Sequence, residues 1–173
     1  IAGVIYDPVQ DEMFYAEKGK GAFVRNKRLR VSGTQQLSNA VVGFEAPKLS
    51  GDKHKQSLAQ INEIMLNMGA LRVTGSMALD LAYLAAGRFD AVIGSKLSPW
   101  DVAAGYIIIR EAGGFITEPD GRSNPIFGGA VLATNQSLYQ DIKQIYESDI
   151  DKYSINNKDF ELYNQQFLHT YHI

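Results

Sequence analysis

Two rhythms of apolar and polar positions run along this chain. Up to about residue 37, short apolar runs are broken by turn formers: IAGVIY (1–6) before Asp7 and Pro8, then MFYAEKG (13–19), then GAFVRNKRLRVS (21–32), which turns near Arg25, Asn26 and Lys27. No helical spacing separates them, so they predict antiparallel strands joined by hairpins. From about residue 38, strand-like runs alternate with stretches of helical period. AVVGFEA (40–46), LRVT (71–74), FDAVIG (89–94), FITE (115–118) and AVLAT (130–134) predict strands. HKQSLAQINEIMLNMG (54–69), SMALDLAYLAAG (76–87), DVAAGYIIIREAGG (101–114) and QSLYQDIKQIYE (136–147) predict helices, three of them closed by glycine. Such alternation predicts an α/β architecture, a sheet covered by helices on both faces. The pattern divides the chain into residues 1–37, the antiparallel front; 38–147, the α/β part; and 148–173, a tail rich in Asn, Gln and Tyr.

Composition narrows the function classes. The chain has 173 residues, 45% of them hydrophobic, enough for a substantial core. A net charge of −2 gives no electrostatic case for nucleic-acid binding. The absence of cysteine removes disulfides, thiolate metal sites and cysteine nucleophiles, and fits a reducing compartment such as the cytoplasm. No apolar run approaches the roughly 20 residues needed to cross a bilayer. A strand-like run at Ile1 reads as the continuation of a longer protein, since an unpaired strand end wants a neighbour.

Two junctions hold candidate chemistry. In VTGSMALD (73–80) a strand ends, Gly75 turns and Ser76 opens a helix. Free N–H groups and the positive end of the dipole favour phosphate there, although Ser is also a common cap for a helix with no ligand. In SPWDVAAG (98–105) the single tryptophan, Trp100, precedes Asp101. Asp101 reads as the N-cap of the following helix, or as a carboxylate at a strand's carboxyl end where open α/β sheets bind ligands. One aspartate is not a metal centre; Asp80, Asp90 and Glu111 show no ligand spacing to it. GKGAF (19–23) is a tight turn, not a P-loop, and no G-x-S-x-G elbow is present. The basic run RNKRLR (25–30) reads as a solvated hairpin tip, His54 as an exposed residue opening a helix, and His169 and His172 as solvated tail residues.

Taken together, LRVTGSMALDLAYLAAGRFDAVIGSKLSPWDVAAGYIIIREAGGFITEPDG resembles the carboxyl-terminal half of the inositol monophosphatase family, sugar phosphatases related to fructose-1,6-bisphosphatase, and GVIYDPVQDEMFYAEKGKGAF resembles the strands closing that family's amino-terminal domain. The resemblance covers about residues 1–147. It implies a mixed β-sheet flanked by helices, preceded by a remnant of an antiparallel-sheet domain, and a Mg²⁺-dependent, lithium-sensitive hydrolase acting on inositol monophosphate or a similar sugar or polyol phosphate. Asp101 matches a residue that binds metal and contacts a substrate hydroxyl, with Trp100 packed beside it. Gly75, Ser76 and Met77 match the helix start that touches the substrate. Met77 stands where a small residue is usual, and Gly94 where animal members carry a glutamate that binds inositol hydroxyls. Arg72 matches a basic residue supporting the site or a dimer contact. The family's G-x-E and D-P-x-D-G-T-x-N-F motifs, which supply most metal ligands, are absent, so the chain alone is expected to be inactive. A small-molecule phosphate substrate and a homodimer are implied, with no membrane partner and no direct nucleic-acid partner. The alternatives are action on fructose-1,6-bisphosphate or a nucleotide 3′-phosphate, or a non-catalytic role in transcription or ribosome assembly through association with RNA polymerase.

Overall fold

A computed structural model describes residues 1–45, 62 and 65–147. Four strands, β1 (Ala2–Asp7), β2 (Glu12–Glu17), β3 (Gly21–Val24) and β4 (Lys27–Arg28), form an antiparallel meander in chain order. Strict alternation along β1 and β2 sends Ile5, Phe14 and Ala16 into the core and leaves Val4, Tyr6 and Met13 exposed. Arg25 and Asn26 take left-handed backbone angles at the β3–β4 turn, as the expected hairpin tip requires.

After a 3₁₀ turn (Leu37–Asn39) come β5 (Val41–Glu45), β6 (Ala70–Arg72), α1 (Met77–Ala85), β7 (Ala91–Ser95), α2 (Pro99–Glu111), β8 (Phe115–Thr117), the short α3 (Pro125–Gly128), β9 (Ala130–Thr134) and α4 (Tyr139–Glu147). The second sheet runs β6-β5-β7-β9-β8. β5 is parallel to both β6 and β7, whereas β9 is antiparallel to β7 and β8, so the sheet is mixed. The expected helix 54–69 lies largely outside the described residues, within which residues 65–67 are helical; His54, His169, His172 and the tail 148–173 lie outside them altogether.

Helices α1 and α2 are sandwiched between the two sheets. One hydrophobic cluster joins Ile5, Phe14 and Ala22 of the meander, Leu81 and Leu84 of α1, Ile108 and Ile109 of α2, and Val92, Ile116 and Val131 of the second sheet. A second cluster, including Val42, Ile93, Leu132, Leu138 and Ile142, fills the other face beneath α4. Two glycines of the W-D-V-A-A-G and E-A-G-G stretches are packing devices. A Cβ on Gly105 would meet Leu81 Cδ1 at 2.5 Å, so glycine is what lets α2 approach α1; a Cβ on Gly114 would meet Ile109 and Val31 at 2.8 Å each.

Buried polar groups fasten the layers. Asp90 accepts from the Ser32 hydroxyl at 2.5 Å and the Val41 N–H at 2.7 Å, tying the inter-sheet connection down. The Tyr83 hydroxyl of α1 donates to Asp7 at 2.5 Å, and Arg88 pairs with Glu12 through Nη2–Oε1 at 2.8 Å and Nη1–Oε2 at 2.7 Å. These bonds hold both carboxyls below their usual ranges, through Tyr83 for Asp7 and through Arg88 for Glu12. No helix among the described residues is long and apolar enough to cross a membrane.

Candidate functional site

The carboxyl ends of the parallel strands β5, β6 and β7 define one end of the second sheet, where ligands bind in open α/β folds. Glu45 ends β5, the Thr74–Met77 turn follows β6, and Gly94 and Ser95 end β7 ahead of α2. Gly75 has φ +83, a left-handed conformation that lets the chain leave β6 and enter α1 abruptly. Ser76 is the N-cap of α1, accepting the Leu79 N–H at a long 3.5 Å, while its own N–H donates to Thr74 Oγ1 at 3.3 Å. The N–H groups of Met77 and Ala78 head the first turn and have no intrahelical acceptor. Met77 is 3% exposed, so its side chain is a core group and only its backbone belongs to the helix start.

Asp101 does not occupy the expected cap position. The helix begins earlier, at Pro99, with Ser98 as N-cap. Proline suits a first helical position, where no N–H is needed. Asp101 is therefore the third helical residue, and its Oδ2 accepts the Ser98 N–H at 2.8 Å, the return bond of a capping box. Trp100 is 79% exposed rather than packed beside Asp101. Arg72 is exposed and donates to the carbonyl of Leu71 at 2.8 Å.

A second carboxylate, Asp80, which the sequence reading set aside for lack of ligand spacing to Asp101, lies on α1. Asp80 is wholly buried; the Thr74 hydroxyl donates to its Oδ1 at 2.5 Å, and its Oδ2 has no hydrogen-bond partner among the described residues. Burial pushes its carboxyl up to about 6; the Thr74 bond opposes the rise and the nearby Glu45 charge adds to it. Glu45 Oε2 is likewise buried without a hydrogen-bond partner among the described residues. The signal was present: Asp80 shares the buried face of α1 with Met77, Leu81 and Leu84, where an acid is out of place.

With one oxygen fixed by Ser98, the other Asp101 oxygen can serve a hard cation as a single, pre-oriented ligand. Among the described residues no group of three or more His, Cys, Asp or Glu side chains is gathered to hold a metal ion. Asp101 thus fits part of a metal centre, not a whole one.

Two helix starts, those of α1 and α2, follow strands at the carboxyl end of the second sheet, where open α/β folds bind ligands. Residues 1–150 match the inositol monophosphatase family, and the chain belongs to it. It is 44% identical over 138 residues to an inositol-1-monophosphatase of Mesorhizobium japonicum, covering 80% of this chain and 52% of that protein. It is 34% identical over 140 residues to the Nus factor SuhB of Pasteurella multocida, covering 81% of this chain and 52% of that protein. The crystal structure of the extragenic suppressor protein suhB from Bartonella henselae superposes with a TM-score of 0.82 at 37% identity, covering 87% of this chain and 57% of that one. The chain spans about half the length of these relatives.

Proposed function

We propose that this chain is the carboxyl-terminal portion of a Mg²⁺-dependent phosphatase acting on inositol monophosphate or a similar sugar or polyol phosphate. The observation that carries this reading is the pairing of the Gly75–Ser76 helix start with a carboxylate, Asp101, whose orientation is fixed from the Ser98 backbone at the neighbouring helix start. The first-turn N–H groups of α1 hold an ester's phosphate oxygens. Asp101 would be a ligand for the Mg²⁺, with its carboxylate held ready by the Ser98 N–H. When bound, Mg²⁺ supplies Lewis-acid stabilisation of the charge on the transferring phosphoryl group. Ser98 keeps Asp101 from rotating away, so little reorganisation is needed when substrate arrives.

The remaining metal ligands come from outside residues 1–173, and the chain by itself is inactive. The reading also includes lithium sensitivity, a homodimer and a cytoplasmic setting, the last supported by a chain free of cysteine. Rival substrates of the same chemistry are fructose-1,6-bisphosphate and nucleotide 3′-phosphates. Phosphate release from inositol 1-phosphate in Mg²⁺, measured for the full-length protein and for residues 1–173, tests the proposal. Full-length turnover with none in the piece is expected; appreciable turnover by the piece would sink the account of the missing ligands.

A second reading, a binding role in transcription, is favoured by one relative being a Nus factor and by the exposed basic tip of Arg25, Lys27, Arg28 and Arg30. It predicts RNA polymerase capture that is lost on charge reversal of Arg28 and Arg30.

A further inference from the structure

The turn between β6 and α1 is held by hydrogen bonds rather than by packing. Val73, Thr74 and Gly75 are all exposed, and nothing lies within 4 Å of where a Gly75 Cβ would stand. A glycine at the centre of an unpacked turn gives it no stiffness of its own. What restrains it is Thr74, whose hydroxyl donates to Asp80 Oδ1 at 2.5 Å and whose oxygen accepts the Ser76 N–H at 3.3 Å. Asp80, one turn into α1, also bonds the Ser76 carbonyl through its own N–H at 2.9 Å. One aspartate thus grips both sides of the turn, Thr74 through its side chain and Ser76 through its backbone.

The chemistry sets the direction of this chain of bonds. An ionised carboxylate only accepts, so the single Thr74 proton is committed to Asp80 and the lone pairs of the hydroxyl are left for Ser76. Without that acceptor the hydroxyl is free to turn, and the Ser76 N–H loses a fixed partner. Asp80 is wholly buried, and its Oδ2 has no hydrogen-bond partner among the described residues. A buried acid left half-satisfied is costly and calls for an explanation. Its one side-chain hydrogen bond among the described residues leads to the turn ahead of the helix start.

We propose that Asp80 is a positioning residue, which acts through Thr74 to hold the Gly75–Ser76 turn and so fixes the free first-turn N–H groups of Met77 and Ala78 for a phosphate. The inference rests on the phosphatase reading above. Asp80 works on the turn and not on the substrate. Phosphate is held alike in the bound ester and in the transition state, so loosening the turn raises KM and leaves kcat near its original value.

Steady-state kinetics of the full-length protein on inositol 1-phosphate in Mg²⁺ test this. Asp80→Asn loses the charge but keeps an acceptor for Thr74, and as the conservative variant it should hold KM within about threefold of wild type. Thr74→Val combined with Asp80→Leu replaces both partners by apolar groups of similar shape, a change that can be nearly neutral for stability. Both variants lack the charge, so the difference between them reports the bond. The apolar pair should show a KM about tenfold above that of Asp80→Asn, with kcat within about threefold, and the inhibition constant for inorganic phosphate should rise in parallel. An apolar pair that melts with wild type and keeps the KM of Asp80→Asn overturns the proposal, as does a rise above about tenfold in Asp80→Asn itself. If the apolar pair fails to fold, Thr74→Ala on the Asp80→Asn background removes the same hydroxyl; the same rise in KM is expected, and an unchanged KM overturns the proposal. Each of these results leaves the phosphatase reading standing. Absence of turnover by the wild-type protein would overturn that reading, and this inference with it.

Discussion

Glu111 Oε2, at the end of α2, accepts the backbone N–H of Gly21 at 2.9 Å. Its Oε1 accepts from Gly19 at 2.8 Å, so a single carboxylate closes over the β2–β3 turn. The glutamate of E-A-G-G is therefore a clasp between α2 and the meander. These bonds, Gly19 first and Gly21 next, hold its carboxyl below the usual range. An acid lowered on folding stabilises the protein above its unfolded value and loses that contribution as pH falls through the folded one. Glu111→Gln keeps only one acceptor oxygen, and should lower the melting temperature at pH 7. The difference from wild type should shrink in acid, below the ordinary carboxylate range. A deficit that persists undiminished there would mean that the charge is not what clasps the turn.

Gly105 sits where α2 meets α1, and an added Cβ would fall 2.5 Å from Leu81 Cδ1 and 2.7 Å from Leu81 Cβ. The second of these atoms cannot rotate away. Alanine favours a helix interior over glycine by about 1 kcal/mol, while overpacking a core costs about 1–3 kcal/mol. With the backbone-proximal Leu81 Cβ in the way, the steric loss wins. Gly105→Ala should destabilise by about 1–2 kcal/mol in denaturant unfolding; a net gain would show that the helices separate freely.

Asp80 offers the opposite sign of pH dependence. Its carboxyl is raised on folding, from 3.8 to about 6. Its contribution is thus fully present below about pH 4, and is lost as pH rises through about 6. At about 1.4 kcal/mol per pH unit, that rise makes the charged form costly by about 3 kcal/mol at most. Asp80→Asn keeps the acceptor for the Thr74 hydroxyl and removes the charge. The variant should melt higher than wild type at pH 8, with the advantage fading by pH 4.5. A constant difference across that range would place Asp80 in a solvated setting.

The alternation of strand and helix, the hairpin tip and the glycine stops were legible because each is written in local spacing. AVLAT (130–134) became β9 over the same residues, and Gly75 took the positive φ its turn implied. Helix starts were less legible. Asp101 looks like a cap because Ser98 and Pro99 lie ahead of it, and a Ser-Pro pair is equally compatible with a loop until packing fixes it as the cap and first turn. The strand pairing was illegible, since β9 inserts between β7 and β8 through contacts that no local pattern encodes. So was the Asp80–Glu45 approach, which joins residues on different elements. It lies at the sheet end that carries the candidate site, where side chains from several strands converge.

Asp101 can be a cap, a metal ligand, or both, and one pair of variants separates these roles. Asparagine at 101 retains an oxygen able to accept the Ser98 N–H, so Asp101→Asn should change stability by no more than about 0.5 kcal/mol. It removes the charge that a hard cation requires, and should lower Mg²⁺-dependent turnover of the full-length protein by at least about a hundredfold. Asp101→Ala removes both functions; it should match the activity loss and add a stability loss of about 1 kcal/mol. Near-wild-type turnover in Asp101→Asn would return the residue to its bond with Ser98 alone. Equal damage to stability in both variants would mean that the carboxylate's charge, and not only its acceptor oxygen, holds the start of α2.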